Sequence, residues 1–356
     1  MTGSNGAAAS AAAPAPEGFV AVEVGDVEAM LTHQAQEIAA KSGMPASRAS
    51  ALNLLTYIEQ LGEMAEVSAV VERLAATHPI RAIGFALDDH IPEGVVRTWV
   101  GGSCAGGQDA RVCSEGIALA AHSNAAARIA SAITSLLKRD LPVIMWWRGG
   151  SPFVVRLFKM LAPLATKIVV DSVRFGDGAA SLDTLRRLAE YRDGKAAIAD
   201  LNWERTRAWR ATLAACCDDP SVLALVDGFD RCTIECAAAS DGPIAGPARA
   251  LLLAGWLVNR RPQLAGRSAI VGRHTTHAAA GSIAAITLSS STSAASLAIE
   301  WDVDADQIVG TVRDTQGAEI RRLRFAADPQ DDASMLDRCI GSFDHNPRFD
   351  AVLQAE

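Results

Sequence analysis

Residues 140–153, DLPVIMWWRGGSPF, restrict the fold more than any other stretch of the chain. Positions 141–147 form an unbroken apolar run, with Asp140 before it and the Gly149-Gly150 turn after it. The run is far short of the ~20 residues that a membrane span needs. A short apolar run between turn signals is the pattern of a strand covered on both faces, as in a parallel sheet with helices on either side. Side chains alternate along a strand, so Trp146 and Trp147 are expected to face opposite layers. Any functional role is then left to the strand's exit at 148–151.

The flanking sequence fits such a sheet. Two helices are expected ahead of the first strand: one from an N-cap at Ser47 through Ala51, Leu54, Leu55, Ile58 and Leu61, and one over about 64–77. PIRAIGFALD (79–88), VVRTWVG (95–101) and ARVCSEGIALAA (110–121) read as strands, with GGSCAGGQD as a hairpin loop between the last two. Asn124 is expected to cap a helix that buries Ile129, Ile133, Leu136 and Leu137 and ends at Lys138 and Arg139. After the tryptophan strand come a helix over 152–161, a strand at KIVVDS (167–172), a helix over 181–192, a strand at AAIAD (196–200) and a helix over 202–217. Alternation at this pitch predicts a mostly parallel sheet flanked by helices.

Beyond Pro220 the pattern changes. Two short β-like runs surround Gly228, and an apolar helix starts near Pro247 and ends near Asn259. SIAAITLS, SLAIEWDV, QIVGTVRD and EIRRLRF then predict an antiparallel meander, closed by helices from about Asp331. The chain reads as an α/β fold with a flexible tail and lead-in over 1–46, an α/β domain over 47–220 and a smaller α+β domain over 221–356.

Charge narrows the partners. A net charge of −8 and a pI near 5.4 argue against nucleic acid, which needs clustered Lys and Arg; along the sequence only RRLRF (321–325) comes near, and it reads as a solvated strand face. The longest apolar stretches, 250–258 and 141–147, predict no membrane span. The first 18 residues lack a basic residue and a Leu/Val-rich core, so they read as a flexible tail rather than a secretory signal, and the cytoplasm is the expected compartment. Seven cysteines without a signal read as reduced thiols.

Catalytic motifs are scarce along the chain. Neither G-x-G-x-x-G after a strand nor G-x-x-x-x-G-K-[ST] is present. Ser103 has Gly101 two residues before it but Ala105 two after, which breaks the nucleophile-elbow pattern. His274 and His277 lack a neighbouring Glu in the H-E-x-x-H arrangement. Cys232 and Cys236 sit in an expected strand, roughly 13 Å apart, too far to share a zinc. Cys216 and Cys217 read as packing residues, and Asp88-Asp89-His90 as a polar turn before Pro92. No catalytic, cofactor-binding or metal-binding residue is expected. Seven tryptophans against two tyrosines direct attention to contact instead, because Trp and Arg tend to dominate protein interfaces.

The runs RVCSEGIALAA, LPVIMWWRGG, KIVVDSVRF, DLNWERTRAWR and LLAGWL, with the closing LDRCIGSFDHNPRFDAVLQA, occur in an order and spacing that resemble the OpcA-type glucose-6-phosphate dehydrogenase assembly protein family. The likeness runs from about residue 50 to the C-terminus. It implies a protein that is not an enzyme: an allosteric activator that binds glucose-6-phosphate dehydrogenase, promotes its active oligomer and serves carbohydrate metabolism in the oxidative pentose phosphate pathway. Two departures point to a divergent branch: Arg148 follows the paired tryptophans where the family has proline, and Ala208 replaces another proline. Some relatives are controlled by thioredoxin through cysteines, but Cys113 lies in an expected strand and reads as buried and inert.

The expected interface residues are Trp147, Arg148, Gly149, Gly150, Trp203, Trp209 and Arg210. Alanine at Trp147 and Arg148 is expected to weaken activation while leaving the fold intact. The alternative function is a sugar-phosphate or nucleotide-binding α/β protein, with Arg148 and the Gly149-Gly150 turn reading an anion.

Overall fold

Every residue of Leu52–Ile58 is buried, and the segment is a strand rather than the helix that its apolar spacing predicts. A strand paired on both edges and covered on both faces has no polar side, so its apolar residues match a helical template as readily as a strand's. The structure, a computed structural model, describes residues 15–354 apart from 44–45, 76, 107–110, 192–194, 240, 244–245 and 276–277; the side chains of 42, 46–47, 103–106, 111–113 and 243 also lie outside it. The chain divides into two units, one ending at Ala165 and one beginning at Thr166.

In the first unit, β1 (Val20–Val22), α1 (Val27–Ser42) and β2 (Ala46–Ser47) precede β3 (Leu52–Ile58), α2 (Met64–Ala75), β4 (Ile80–Leu87), β5 (Val96–Gly106), β6 (Arg111–Ala121), α3 (Ala126–Leu136), β7 (Val143–Trp147) and α4 (Arg156–Leu161). The strands lie in the order β1-β5-β6-β4-β3-β7. β6, β4, β3 and β7 run parallel, and β5 is antiparallel to β6. In α1, Val27, Leu31 and Ala35 are buried at four-residue intervals, a helical signal that lies ahead of the first expected element.

Two local expectations change. The glycine-rich stretch 101–106 is the end of β5, not a loop. Glycine is needed on the facing strand, where a Cβ at Gly116 would stand 2.8 Å from the Gly101 carbonyl oxygen. Asn124 does not cap α3: it lies in a 3-10 turn (Ser123–Ala125) that leads into the helix and is capped by His122, whose Nδ1 accepts from the Asn124 N–H at 3.2 Å. The helix stops at Leu136, and Lys138 turns toward Glu115, 3.4 Å away.

β7 is buried along its whole length. Trp147 stacks on Tyr57 of the adjacent β3, with ring centres 3.9 Å apart, and meets the edge of Phe158 on α4 at 5.2 Å. Trp146 lies on the opposite side, under Arg148, whose guanidinium is 5.1 Å from the ring centre. The two rings therefore anchor one strand to both layers. Near the amino end of β4, buried Arg81 faces buried Glu115 of β6 at 3.0 Å, and Arg48 joins Glu115 at 2.6 Å.

In the second unit, β8 (Lys167–Val170), α5 (Gly178–Glu190), β9 (Ala197–Asp200), α6 (Leu201–Glu204), α7 (Arg207–Cys216) and α8 (Pro220–Asp227) come first. They are followed by β10 (Arg231–Ala238), β11 (Gly242–Pro243), α9 (Ala248–Arg260), β12 (Ser268–His274), β13 (Ile283–Ser289), β14 (Ser296–Asp302), β15 (Gln307–Arg313), β16 (Glu319–Ala326), α10 (Asp332–Ile340) and α11 (Pro347–Gln354). β8 and β9 pair in parallel. A second sheet has the order β11-β12-β10-β13-β14-β15-β16; its β13–β16 portion is the expected antiparallel meander. The first β-like run before Gly228 is instead α8. Asp219 accepts from the Ser221 N–H at 2.9 Å, Pro220 occupies the first turn, and Val222 and Val226 bury one turn apart, so capping overrides the β-propensity of the valines.

β8 and β9 lead into acidic helix caps. Asp200 is fully buried; its Oδ1 accepts from the N–H groups of Ser172 and Asn202 at 2.9 and 3.1 Å, and its Oδ2 from Ser172 Oγ at 2.7 Å. Burial and the neighbouring Asp171 push its carboxyl up to about 7. Asp171 in turn accepts from both terminal nitrogens of Arg205, at 2.7 and 2.8 Å. The architecture is thus α/β, with a mostly parallel sheet flanked by helices and a second, mixed sheet carrying the meander. Among the described residues, no helix is long and apolar enough to cross a membrane.

Trp147→Ala opens a core cavity and is expected to cost about 3–5 kcal/mol in urea unfolding, against the expectation of an undisturbed fold. For Asp200, the raised carboxyl means that ionisation opposes folding. The stability tied to its protonated form is complete below about pH 4 and is lost as pH rises toward about 7. Asp200→Asn keeps one side-chain oxygen to accept from both N–H donors, so its stability should gain on the parent across that window by on the order of 2–4 kcal/mol. Denaturant titrations at pH 4, 5.5 and 7.5 check this, and parallel curves for the two proteins would refute it.

Candidate functional site

The exit of β7 is closed by its own neighbours. Arg148 is 5% exposed; it lies 2.9 Å from Glu66 and 3.6 Å from Glu63, and its N–H donates to the Tyr57 carbonyl. A Cβ at Gly149 would stand 2.6 Å from the Tyr57 ring, which explains glycine there. The Gly150 N–H donates to Glu59 at 2.8 Å, and its carbonyl accepts from Trp147 Nε1 at 2.9 Å. Burial, with Glu59 and Glu63 nearby, pushes the Tyr57 phenol up to about 12. An anion at this turn would have three carboxylates for neighbours. Past the turn, Val154 is 83% exposed.

Trp203, Trp209 and Arg210 lie in the second unit. Both rings are buried, and Trp203 packs on Phe349 of α11, with ring centres 5.5 Å apart. The Arg210 guanidinium sits 3.5 Å from the centre of the Trp203 ring, and its Nε donates to Thr206 Oγ1 at 3.0 Å. Such a cation over an indole face is an attractive pair. Burial lowers the Arg210 guanidinium to about 10; nearby Glu204 opposes the shift, and Arg348 and Arg207 add to it.

Arg210 opens onto a cavity of about 1040 Å³ whose wall also carries Arg207, Arg260, Arg261, Arg338 and Arg348. Glu204 is the carboxylate among its described lining residues. No run of sequence displays this cluster. Its members come from WERTRAWR, from the end of α9 and from the segment 338–348, three separate stretches within or beside those that carry the family likeness. Helical spacing of Arg207 and Arg210 was visible; the convergence of the others was not.

The remaining candidates are less productive. The free cysteines among the described residues are Cys216, Cys217, Cys232, Cys236 and Cys339. Burial pushes the thiols of Cys216 and Cys236 up to about 11 and that of Cys232 to about 12, which disfavours the reactive thiolate. The side chains of Ser103, Cys104 and Cys113 and the whole of His277 lie outside the described residues. The His274 N–H donates to Asp241. Asp88 holds His90 at 2.8 Å in an exposed turn, and hydrogen bonds from the His90 N–H and ring keep its carboxyl below the usual range. Among the described residues, no group of three His, Cys, Asp or Glu side chains is placed to hold a metal.

Comparison with known proteins bears on both halves of the chain. Residues 71–187 match the domain described as the glucose-6-phosphate dehydrogenase subunit N-terminal domain, and residues 196–353 match the C-terminal domain of the same description. A protein of Nostoc punctiforme is 35% identical over 149 residues, which cover 42% of this chain and 30% of that protein. One from Synechocystis sp. is 30% identical over 215 residues, 58% of this chain and 43% of its own length. Both bear the name "Putative OxPP cycle protein OpcA". The chain thus spans less than half the length of these relatives.

Among solved structures, an oxidoreductase domain protein from Kribbella flavida and an oxidoreductase from Sinorhizobium meliloti each align over 86% of this chain and 94% of their own. Their TM-scores are 0.45 and 0.44 at 10% and 9% identity, too slight a likeness to carry an argument. With its two halves matched in order by the two domains, the chain belongs to the OpcA-type glucose-6-phosphate dehydrogenase subunit family.

Proposed function

We propose that this protein is a non-catalytic partner of glucose-6-phosphate dehydrogenase that acts in the cytoplasm, binds the enzyme and favours its active oligomer in the oxidative pentose phosphate pathway. The observation that carries the reading is the match of residues 71–187 and 196–353 to the domains described as the N-terminal and C-terminal domains of a glucose-6-phosphate dehydrogenase subunit. Activation of this kind is a population shift: the partner binds the active assembly better than the inactive one, and only that difference counts. Moving a 1:99 mixture to 99:1 takes about 5.5 kcal/mol of preferential binding, within the reach of one ordinary interface.

Burial constrains which of the expected residues serve in that interface. Trp147, Trp203 and Trp209 support it from within, as does Arg148 through Glu63 and Glu66. Gly150 and Arg210 are the partly exposed members. In this proposal the β7 exit docks through Gly150, Ser151 and the projecting Val154.

Mixing the purified chain with the dehydrogenase of the same genome should give co-elution and faster NADP reduction; separate elution with an unchanged rate would overturn the reading. Val154→Glu should weaken the complex about tenfold, near 1.4 kcal/mol, without shifting the melting temperature. A complex of undiminished affinity would remove this loop from the interface.

A further inference from the structure

A chain of net charge −8 gathers six arginines around the cavity of the second unit, and the pairing there is incomplete. Arg207 lies 3.6 Å from Asp328, Arg338 lies 3.4 Å from Glu204, and Arg261 pairs with Asp227. Arg210, Arg260 and Arg348 have no carboxylate partner among the described residues. The hydrogen-bond and ring partners of Arg210 among the described residues are neutral, the Trp203 ring and carbonyl and the Thr206 hydroxyl, while Glu204, paired with Arg338, acts on it from beyond ion-pair distance. Like charges brought together around a partly desolvated space repel one another until an anion enters it. The Arg210 guanidinium is lowered mainly by burial; Glu204 opposes the shift, and Arg348 and Arg207 add to it.

The rest of the wall indicates what kind of anion fits. Ala211, Leu213, Leu257 and Leu288 give it an apolar side, and Trp256 adds part of its indole ring, with Nε1 itself buried away from the space. A volume of about 1040 Å³ lies just above the ~300–1,000 Å³ of most small-molecule sites. α11 starts in the wall, so the positive end of its dipole adds to the field. Guanidinium groups match phosphate oxygens in a two-pronged geometry that lysines lack. A bare ion would leave the apolar wall and the indole unused.

We propose that this cavity binds an organic phosphate of about nucleotide size, with its phosphate groups on Arg210, Arg260 and Arg348 and its ring or sugar against Trp256 and the apolar wall. The site belongs to the isolated chain and does not depend on the dehydrogenase partnership, so either proposal can fail alone.

Calorimetric titration of the full chain with ADP and with glucose 6-phosphate tests it, with adenosine and inorganic phosphate as probes that each lack one half of the ligand. At least one of the two organic phosphates should bind saturably, and both half-ligands about tenfold or more weaker. Arg348→Gln and Arg260→Gln alter exposed side chains, so they should leave the melting temperature unchanged and weaken binding about tenfold or more. Three results would overturn the proposal: no saturable binding of either organic phosphate at millimolar concentration; binding unchanged in both variants; or a poly-glutamate peptide that binds, and is lost in Arg348→Gln, where neither organic phosphate does. The last would make the cavity a docking groove for an acidic protein segment.

Discussion

Strands that pair in parallel have to be roofed on both faces, and this requirement shapes both units. β3, β4 and β7 carry almost no exposed side chain, so ionisable groups are pushed to the strand ends. At the amino ends Arg81 and Glu115 meet with Arg48 and Lys138 around them. At the carboxyl ends Arg148 leaves β7 between Glu63 and Glu66, and Asp200 closes β9 as the cap of α6. Taking such charges out of water is tolerable only where each meets hydrogen bonds or an opposite charge. The polar knots therefore mark where the roof ends.

The two arginine settings differ in a way that matters for function. Arg148 and Arg81 are buried among carboxylates that balance them, and they hold elements together. The arginines of the second-unit cavity outnumber their acidic neighbours and surround a space large enough for a ligand. Trp203 supports Arg210 from below, and Phe349 supports Trp203. Residues that first looked like contact residues thus form the foundation on which a charged wall stands.

Much of the fold was legible in the sequence because its signals are local. β7, β8, β9 and the meander of β13–β16 appear where alternation or an apolar run bounded by turns places them. The failures have separate causes. β3 shows a helical spacing because total burial erases the period that distinguishes a strand from a helix. At α8 the Asp219-Pro220 start outweighs two valines. Residues 101–106 carry loop-like glycines, yet they lie in β5, where close approach to β6 requires them. The tryptophans look like interface residues by composition, but an indole paired with Tyr57 or Phe349 is core.

By itself the sequence determined the α/β class, the burial of the tryptophan strand on both faces and the family, because each depends on short-range pattern or on motifs kept in order. Only the tertiary structure decided which of those motifs meet. Arg210, Arg260 and Arg348 lie on α7, α9 and α11, too far apart along the chain for any window of sequence to join them. Their common cavity exists because helix packing, driven by apolar faces elsewhere on the same helices, brings their charged sides together.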